Sequence, residues 1–478
     1  MSLATGLLAP LAAAALIALC RRRPNLRETV TLAAAALTFF SMTLFIEPVL
    51  AGERPRLLLG ELLPGLALVL ELEPLGLLFA LIASGLWLVS GVYCIGYLRG
   101  NGEENQTRFY ACFALAIASA IGVALAGNLL TLYLFYELLT LVTWPLVTHH
   151  GDDEARRGGR VYLALLLGSS ILFFLPAIAA TWWIAGTLDF SPGGILAGKV
   201  SGGAAIALAA LYAFGIGKAA LMPIHRWLPA AMVAPAPVSA LLHAVAVVKA
   251  GVFTVVKVLV YVFGAGFADA LAWLPWVASF TIVAASVVAL RSDNLKRRLA
   301  YSTVSQLSYV VLAAALLTPL SIAAAAVHIA AHAFGKITLF FAAGAIYTAA
   351  GKTAVSELDG IGRRMPWTMA AFAVGALSLI GIPPAAGFLS KWLLFQGAAQ
   401  DGHWLALAVL SASTLLNAAY FVPIVYRAFL VKGAAASHGE APPSMVAAMM
   451  ATAAATLALP FAAAALLTLA RAVAGAAP

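Results

Sequence analysis

The sequence predicts an all-α, polytopic membrane protein from three observations. Of its 478 residues 63% are hydrophobic and only 10% charged, and the mean hydropathy is +0.99, which excludes an ordinary soluble globular chain. Apolar runs of roughly 17–25 residues, the length that crosses a bilayer as a helix, recur from end to end. The formal charge of +9 falls in alternate connections and not in one basic patch, so it reads as membrane topology and excludes a nucleic-acid surface. No polar stretch is long enough for a separate soluble domain, and residues 1–478 read as a single integral membrane domain in the lipid bilayer.

Taken in order, spans are expected near residues 3–20, 30–50, 75–97, 109–127, 128–148, 160–185, 203–222, 237–263, 269–290, 300–317, 320–348, 367–395, 403–430 and 446–474, about fourteen in all. Alternate connections then hold 19 of the 28 basic residues, among them Arg21 to Arg23, Arg156, Arg157, Lys296 to Arg298, Arg363 and Arg364. The opposite connections hold Arg54, Arg56, Lys199 and Arg471. The positive-inside rule places the rich side in the cytoplasm and both termini outside. The first span is expected to be retained, because its arginines follow the apolar run and no basic segment precedes it.

Cys20, Cys94 and Cys112 are scattered singly, with no CxxC or Cys/His spacing, so neither a metal site nor a disulfide framework is expected. Glycine-rich phosphate loops, a serine-hydrolase elbow and paired carboxylates are missing from the chain, and no cofactor or redox chemistry is expected within it.

What remains is a set of ionisable groups inside the spans: Lys218, Lys249, Lys257, Lys336 and Lys391, joined by one carboxylate, Glu137. Charges at that depth are expensive and mark ion or proton pathways. Two of the lysines accompany breaks. Lys218 stands between Gly217 and Pro223, and Lys391 follows Pro383 and Pro384. Proline and glycine free backbone groups that must be buried in protein or face a cavity, and paired broken helices point to a transport site in a repeat architecture. The alternative is ordinary kinks. Glu137 has apolar neighbours on both sides, so it needs a cation or a proton, and Lys218 is the obvious partner. Such a pair reads either as a protonation switch or as a static ion pair fixing helix register.

Lys257 follows Lys249 by eight residues, just over two turns along one helix face, and reads either as part of the path or as a side chain snorkelling to the interface. His328, His332 and Lys336 recur at four-residue spacing on one face and favour a proton relay, with His225 and His243 as further candidates.

The stretch from Gly217-Lys218 through His225, Pro235, Pro237 and Ser239 to His243 resembles the signature of the proton-translocating antiporter-like membrane subunits. That group includes the large membrane subunits of respiratory complex I, Mrp-type sodium/proton antiporters and membrane-bound hydrogenases. Asn128 to Glu137, Leu299 to Gln306, His332 to Lys336 and Gly381 to Lys391 carry the resemblance further, over roughly residues 75–430. The resemblance implies fourteen helices with two inverted five-helix repeats and broken helices 7 and 12. It divides the chain into N-terminal helices (1–108), a first repeat (109–263), a second repeat (269–430) and a C-terminal helix (446–474). It makes Glu137 and Lys218 the first charge pair, Lys249 and Lys336 the connections, and Lys391 the terminal lysine. Some relatives carry a glutamate at the Lys391 position and a long C-terminal lateral helix, which is not expected here. Relatives often carry a bulkier residue at the position of Gly335.

The implied function is proton translocation in a hetero-oligomeric Mrp-type sodium/proton antiporter of a bacterial inner membrane, together with other membrane subunits. Alternatives are a proton-pumping subunit of a redox-driven complex, a membrane subunit of an ion-coupled inorganic-carbon uptake system, and a non-conducting scaffold.

Overall fold

The computed structural model describes residues 3–63, 65–400, 402–433 and 439–475. Hydropathy becomes helices in the expected order: α1 Leu3–Leu19, α2 Pro24–Thr43, α3 Pro74–Gly100, α4 Gln106–Ala124, α5 Leu129–Val147, α6 Asp153–Ser169 and α7 Gly202–Gly215. The following helices are α8 Ala236–Phe263, α9 Leu274–Arg291, α10 Leu295–Ala315, α11 Pro319–Ala350, α12 Pro366–Ile380, α13 Ala386–Gln400, α14 Trp404–Leu430 and α15 Pro443–Val473. Among the described residues ten helical stretches are long and apolar enough to cross a membrane. α1, α7 and α12 are apolar but shorter.

Polar side chains at the boundaries start several of these helices. Asn128 accepts from Thr131 N at 2.8 Å, Asp152 from Ala155 N at 2.7 Å and Asn294 from Arg297 N at 3.0 Å, while Thr318 and Ser321 form a capping box. α6 continues through a π turn, Ser170–Phe174, into Leu175–Ala185. Its close neighbour is Gly215 of α7, where a Cβ would collide with the Phe174 backbone nitrogen.

α8 and α11 run through the middle of the molecule. In the central stretch of each, 94% of residues are buried, against 28% in α2 and α15. These two enclosed helices carry Lys249, Lys257, His243, His328, His332 and Lys336, so the ionisable groups stand in the protein interior and not against lipid.

The arginine-rich connections meet at one end of the bundle. Arg27 donates to Gln106 and Thr107, Arg99 pairs with Glu28, and Arg427 pairs with Asp359 at 2.8 Å. The opposite, basic-poor end holds an element outside the all-α expectation, a β-hairpin of β1 Arg56–Leu63 and β2 Leu66–Glu71. Leu58, Leu59 and Leu62 are exposed in a run too short and too interrupted by Gly60 and Glu61 to read as a span, and strands this short are paired by their surroundings. β2 adds to the turn after α4, with Glu71 N on Leu125 O at 2.6 Å and Gly127 N on Val69 O at 2.9 Å.

Candidate functional site: a buried lysine and histidine axis

The seventh span breaks after Gly215. The chain turns through the 3₁₀ segment Gly217–Ala219, with Ala220 in the left-handed region at φ 55°, before the short turns Ile224–Arg226 and Trp227–Ala230. Three of the freed backbone groups find side chains, and Ala219 N and Ala220 N turn back onto Ile216 O and Gly217 O. Lys218 N donates to Tyr136 Oη at 3.0 Å, Trp227 Nε1 donates to Gly217 O at 2.9 Å, and Met222 N donates to Thr281 Oγ1 at 3.3 Å. α8 passes so near that a Cβ on Gly251 would run into the Lys218 carbonyl carbon, which is why a glycine occupies that position.

Lys218 is wholly buried. Its ammonium donates to Tyr136 O at 2.8 Å and Thr140 Oγ1 at 2.5 Å and lies 3.2 Å from the centroid of the Tyr136 ring. Glu137 occupies the same stretch of α5, but its carboxylate makes no salt bridge with Lys218 within 4.0 Å, and both its oxygens are buried without a protein partner among the described residues. The expected contact pair is therefore a lysine from the break and a carboxylate of α5 set at the same turn of α5, not a closed ion pair. Lys218 is drawn to the hydroxyl and carbonyl that flank Glu137.

The twelfth span breaks between α12 and α13 at Gly381, whose φ of 93° ends α12, and Pro383 and Pro384 lie exposed in the gap. Lys391, half-buried in α13, reaches back to the end of α12 and donates to Leu379 O at 2.8 Å and Ile380 O at 2.9 Å. These are the orphan carbonyls at the negative end of the helix dipole, a natural seat for a cation. Asn417 Nδ2 shares Leu379 O at 3.2 Å, and the Tyr309 ring lies 4.9 Å from the ammonium.

Between the breaks lie the connections. Lys249 Nζ stands 2.6 Å from His332 Nδ1. His332 and His328 are neighbours, ring centroids 6.1 Å apart, and His328 Nδ1 stands 2.9 Å from Ser390 Oγ, one residue before Lys391. Lys336 takes a second route. It donates to Ser302 Oγ at 3.0 Å, Ser302 Oγ lies 3.1 Å from the Tyr420 hydroxyl, Tyr420 donates its proton to Asn417, and Asn417 shares the Leu379 carbonyl with Lys391. The four-residue spacing of His328, His332 and Lys336 thus places them on one line of the second half.

His243 is buried in the π turn Leu241–Val245 against Phe340, and neither ring nitrogen has a partner among the described residues. His225 is not part of the cluster. It sits in the turn after Pro223, half-buried beside Tyr301. Pro223 is exposed, while a Cβ on Gly217 would collide with Ser169 Oγ.

Two expectations are corrected. Lys257 does not snorkel: it is 1% exposed, and its ammonium lies 3.1 Å from the Glu73 carboxylate and 3.0 Å from Ala126 O. Glu137 is accordingly not the only carboxylate inside the bundle, because Glu73 at the start of α3 is buried as well. Glu73 lies just outside the expected span at 75–97, where an acidic residue before a proline reads as an ordinary helix cap. Ser302, Tyr420 and Asn417 were also missed. Their hydroxyl and amide groups are uncharged, and only tertiary contact reveals them.

At the arginine-rich end a cavity of about 310 Å³ is lined by His150, Glu154, Ala236, Lys296 and Tyr347 among others. Lys296 donates to Ala234 O at 2.6 Å at its wall. His150 lies 3.5 Å from Glu103, and that hydrogen bond raises its pKa above the usual histidine value, whereas burial lowers that of its neighbour His149. Among the described residues no cluster of three or more His, Cys, Asp or Glu is placed to hold a metal ion.

Residues 126–417 match the family described as "NADH:quinone oxidoreductase/Mrp antiporter, TM". The chain is 33% identical over 413 residues to the N subunit of the NADH-quinone oxidoreductase of Desulforudis audaxviator, covering 85% of this chain and 82% of that protein. It is 29% identical to the D-type subunit of the Na(+)/H(+) antiporter of Alkalihalophilus pseudofirmus, covering 74% and 72%. Against a probable K(+)/H(+) antiporter protein of Rhizobium meliloti and a Synechocystis NAD(P)H-quinone oxidoreductase chain 5 it spans only 33% and 48% of their length. Its fold is that of a chain in the Mrp complex from Dietzia sp., with a TM-score of 0.89 at 23% identity over 99% of this chain and 97% of that one. A chain of the archaeal membrane-bound sulfane sulfur reductase superposes with a TM-score of 0.88 at 24% identity over 99% and 98%.

Proposed function

Because this chain belongs to the NADH:quinone oxidoreductase/Mrp antiporter family of membrane subunits, we propose that it is a proton-translocating subunit of a hetero-oligomeric complex in a bacterial inner membrane. Both termini then lie on the outer side, and the arginine-rich end faces the cytoplasm. The observation that carries the proposal is the row of ionisable and hydroxyl side chains set inside the bundle between the two breaks. Lys249, His332, His328, Ser390 and Lys391 follow one another from α8 to the second break, and Lys218 stands at the first break beside Glu137.

Buried polar groups almost always have hydrogen-bond partners. Both nitrogens of His243, both amide atoms of Gln306, the second nitrogens of His328 and His332, the Tyr309 hydroxyl and Ser413 Oγ have none among the described residues. Internal water completing these bonds makes the axis a hydrated wire. Along it Glu137, Lys218, Lys249, Lys336 and Lys391 change protonation in turn: a proton arriving at one lysine repels the next, which releases its own. His243, His328 and His332 pass protons between their two ring nitrogens. Within this reading residues 109–263 and 269–430 act as two inverted repeats, each with one broken helix at its working end.

Moving a charge across the membrane takes about 2.3 kcal/mol per 100 mV, so an external drive is needed. We propose exchange against a monovalent cation such as Na+, in the manner of an Mrp-type antiporter, supported by the likeness to the D-type Na(+)/H(+) antiporter protein along most of both chains. The likeness to the N subunit of a quinone oxidoreductase favours a second reading, in which redox chemistry in partner subunits drives the same path. Inverted membrane vesicles carrying the co-expressed neighbouring subunits separate the two. Proton movement on adding sodium supports the antiporter reading; movement that begins only with an electron donor replaces it with the redox-driven one.

A further inference from the structure

Glu73 and Lys257 have no place in the path just described, yet they form the most enclosed ion pair of the basic-poor end. Glu73 is 3% exposed, and its carboxylate accepts four hydrogen bonds: from Leu75 N at 3.0 Å, Gly76 N at 3.1 Å, Lys257 Nζ at 3.1 Å and the Tyr261 hydroxyl at 3.0 Å. Lys257 also donates to Ala126 O at 3.0 Å and lies 4.6 Å from the Phe190 ring centroid. Around the pair β2, the turn after α4 and the end of α8 close a cap, tied by Ile195 N on Tyr261 O at 3.2 Å and Leu196 N on Val262 O at 3.0 Å. Exposed Arg54 stands beside Tyr261 at the rim.

Toward the membrane centre, Lys249 lies eight residues away on the same helix, about 12 Å at 1.5 Å per residue. The turn between them presents Phe253, packed on Phe79 with ring centroids 5.2 Å apart, both wholly buried. A polar pair is thus separated from the midplane lysine by one aromatic layer and from solvent by one tyrosine.

A buried ion pair is a weak way to stabilise a fold, since two well-packed apolar residues serve as well or better. A cap for α3 needs only one short polar side chain. We infer that Glu73 and Lys257 are the terminal proton-exchange pair of the axis at the basic-poor end, with the Phe253 and Phe79 contact as the gate between them and Lys249. This rests on the proton-conducting reading above. Lys257 passes its proton to Glu73, leaving an amine and a carboxylic acid; Glu73 releases the proton to water beyond Tyr261, and the Lys257 amine takes the next one from Lys249. Each step moves one proton between named groups and runs equally in reverse.

The test uses the assembled complex in inverted vesicles, with Glu73→Gln, Lys257→Met and the double variant. Single changes leave a buried group unpaired, whereas the double change removes both charges and with them the structural penalty. The inference expects the double variant to assemble on a native gel and to move protons at least about tenfold more slowly than the unmodified complex, with Tyr261→Phe intermediate. A double variant that assembles and transports at the unmodified rate overturns it, and so does one that cannot assemble, because the pair would then be a structural staple. The unmodified complex, run in parallel, keeps the two readings apart: no proton movement there contradicts the conducting reading itself.

Discussion

Lys218 and Lys391 each stand at a broken helix and each rest on backbone carbonyls, but they are balanced differently. Lys218 is wholly buried on Tyr136 O and Thr140 Oγ1, with the unpartnered carboxylate of Glu137 one position away in the same helix. Lys391 is half-buried on the last carbonyls of α12, and its neighbours Tyr309, Asn417 and Ser390 carry no charge. The first half therefore holds a cation beside a group that can itself ionise, whereas the second holds one by dipoles alone. A dipole seat retains a proton without competing for it, while a neighbouring carboxylate can take it over. The first half is the place for a switch and the second for a terminus.

Glu137→Gln and Lys218→Ala break this comparison most strongly. Each is expected to lower proton movement by about a hundredfold, and the double variant no further, because the two act as one unit. Single-variant and double-variant rates in vesicles with assembly checked by native gel decide this, and additive losses would show that Glu137 works apart from Lys218.

Backbone proximity gives the next largest effect. Gly251→Ala forces a Cβ against the Lys218 carbonyl, whereas the Cβ of Gly335→Ala meets Ser378 Oγ at 3.2 Å, a contact that a small shift relieves. The first is expected to destabilise by about 3 kcal/mol and the second by less than about 1 kcal/mol. Thermal unfolding in detergent compares them, and equal losses would contradict the tight fit of α8 on the first break. The limited room beside Gly335 also explains why a bulkier residue there would need a different partner on α12.

In the second half, Tyr420→Phe and Asn417→Leu cut the route from Lys336 to Lys391 but leave the one through His332 and His328. Each is expected to slow transport several-fold, well short of the loss from Lys391→Ala. A loss as large as that of Lys391→Ala would make the uncharged bridge the main path.

The smallest effect belongs to the rim of the cavity at the arginine-rich end. Glu103 raises the pKa of His150, so its contribution to stability is present below the unfolded histidine pKa and is lost as pH rises through the folded value. His150→Gln should lower the unfolding temperature slightly at acidic pH and leave it unchanged at alkaline pH; the opposite trend would mean that burial outweighs Glu103.

Much of this was legible in the sequence because the membrane makes ionisable groups conspicuous. Lys218, Lys249, Lys336 and Lys391 stood out against apolar runs, and glycine and proline marked both breaks. Spacing on one helix also placed His328, His332 and Lys336 together. What it could not supply was the contact across helices. Lys249 meets His332 over 83 positions, Lys257 meets Glu73 over 184, and Tyr420 meets Ser302 over 118. Glu73 was hidden by looking like a cap, and the hairpin by being too short to register. The choice at Lys257 between a path residue and a snorkelling side chain stays open in the sequence for the same reason: its carboxylate partner lies on another helix, and position near the end of a span does not reveal it.

The central claim is that the buried lysines conduct, and one measurement meets it directly. Proton flux is followed in vesicles bearing the complete complex, with Lys218→Ala and Lys391→Ala each compared with the unmodified chain at equal assembly. The account predicts that both variants assemble and that flux collapses in both. Full flux in either assembled variant would mean that protons bypass that break and that its lysine serves assembly alone.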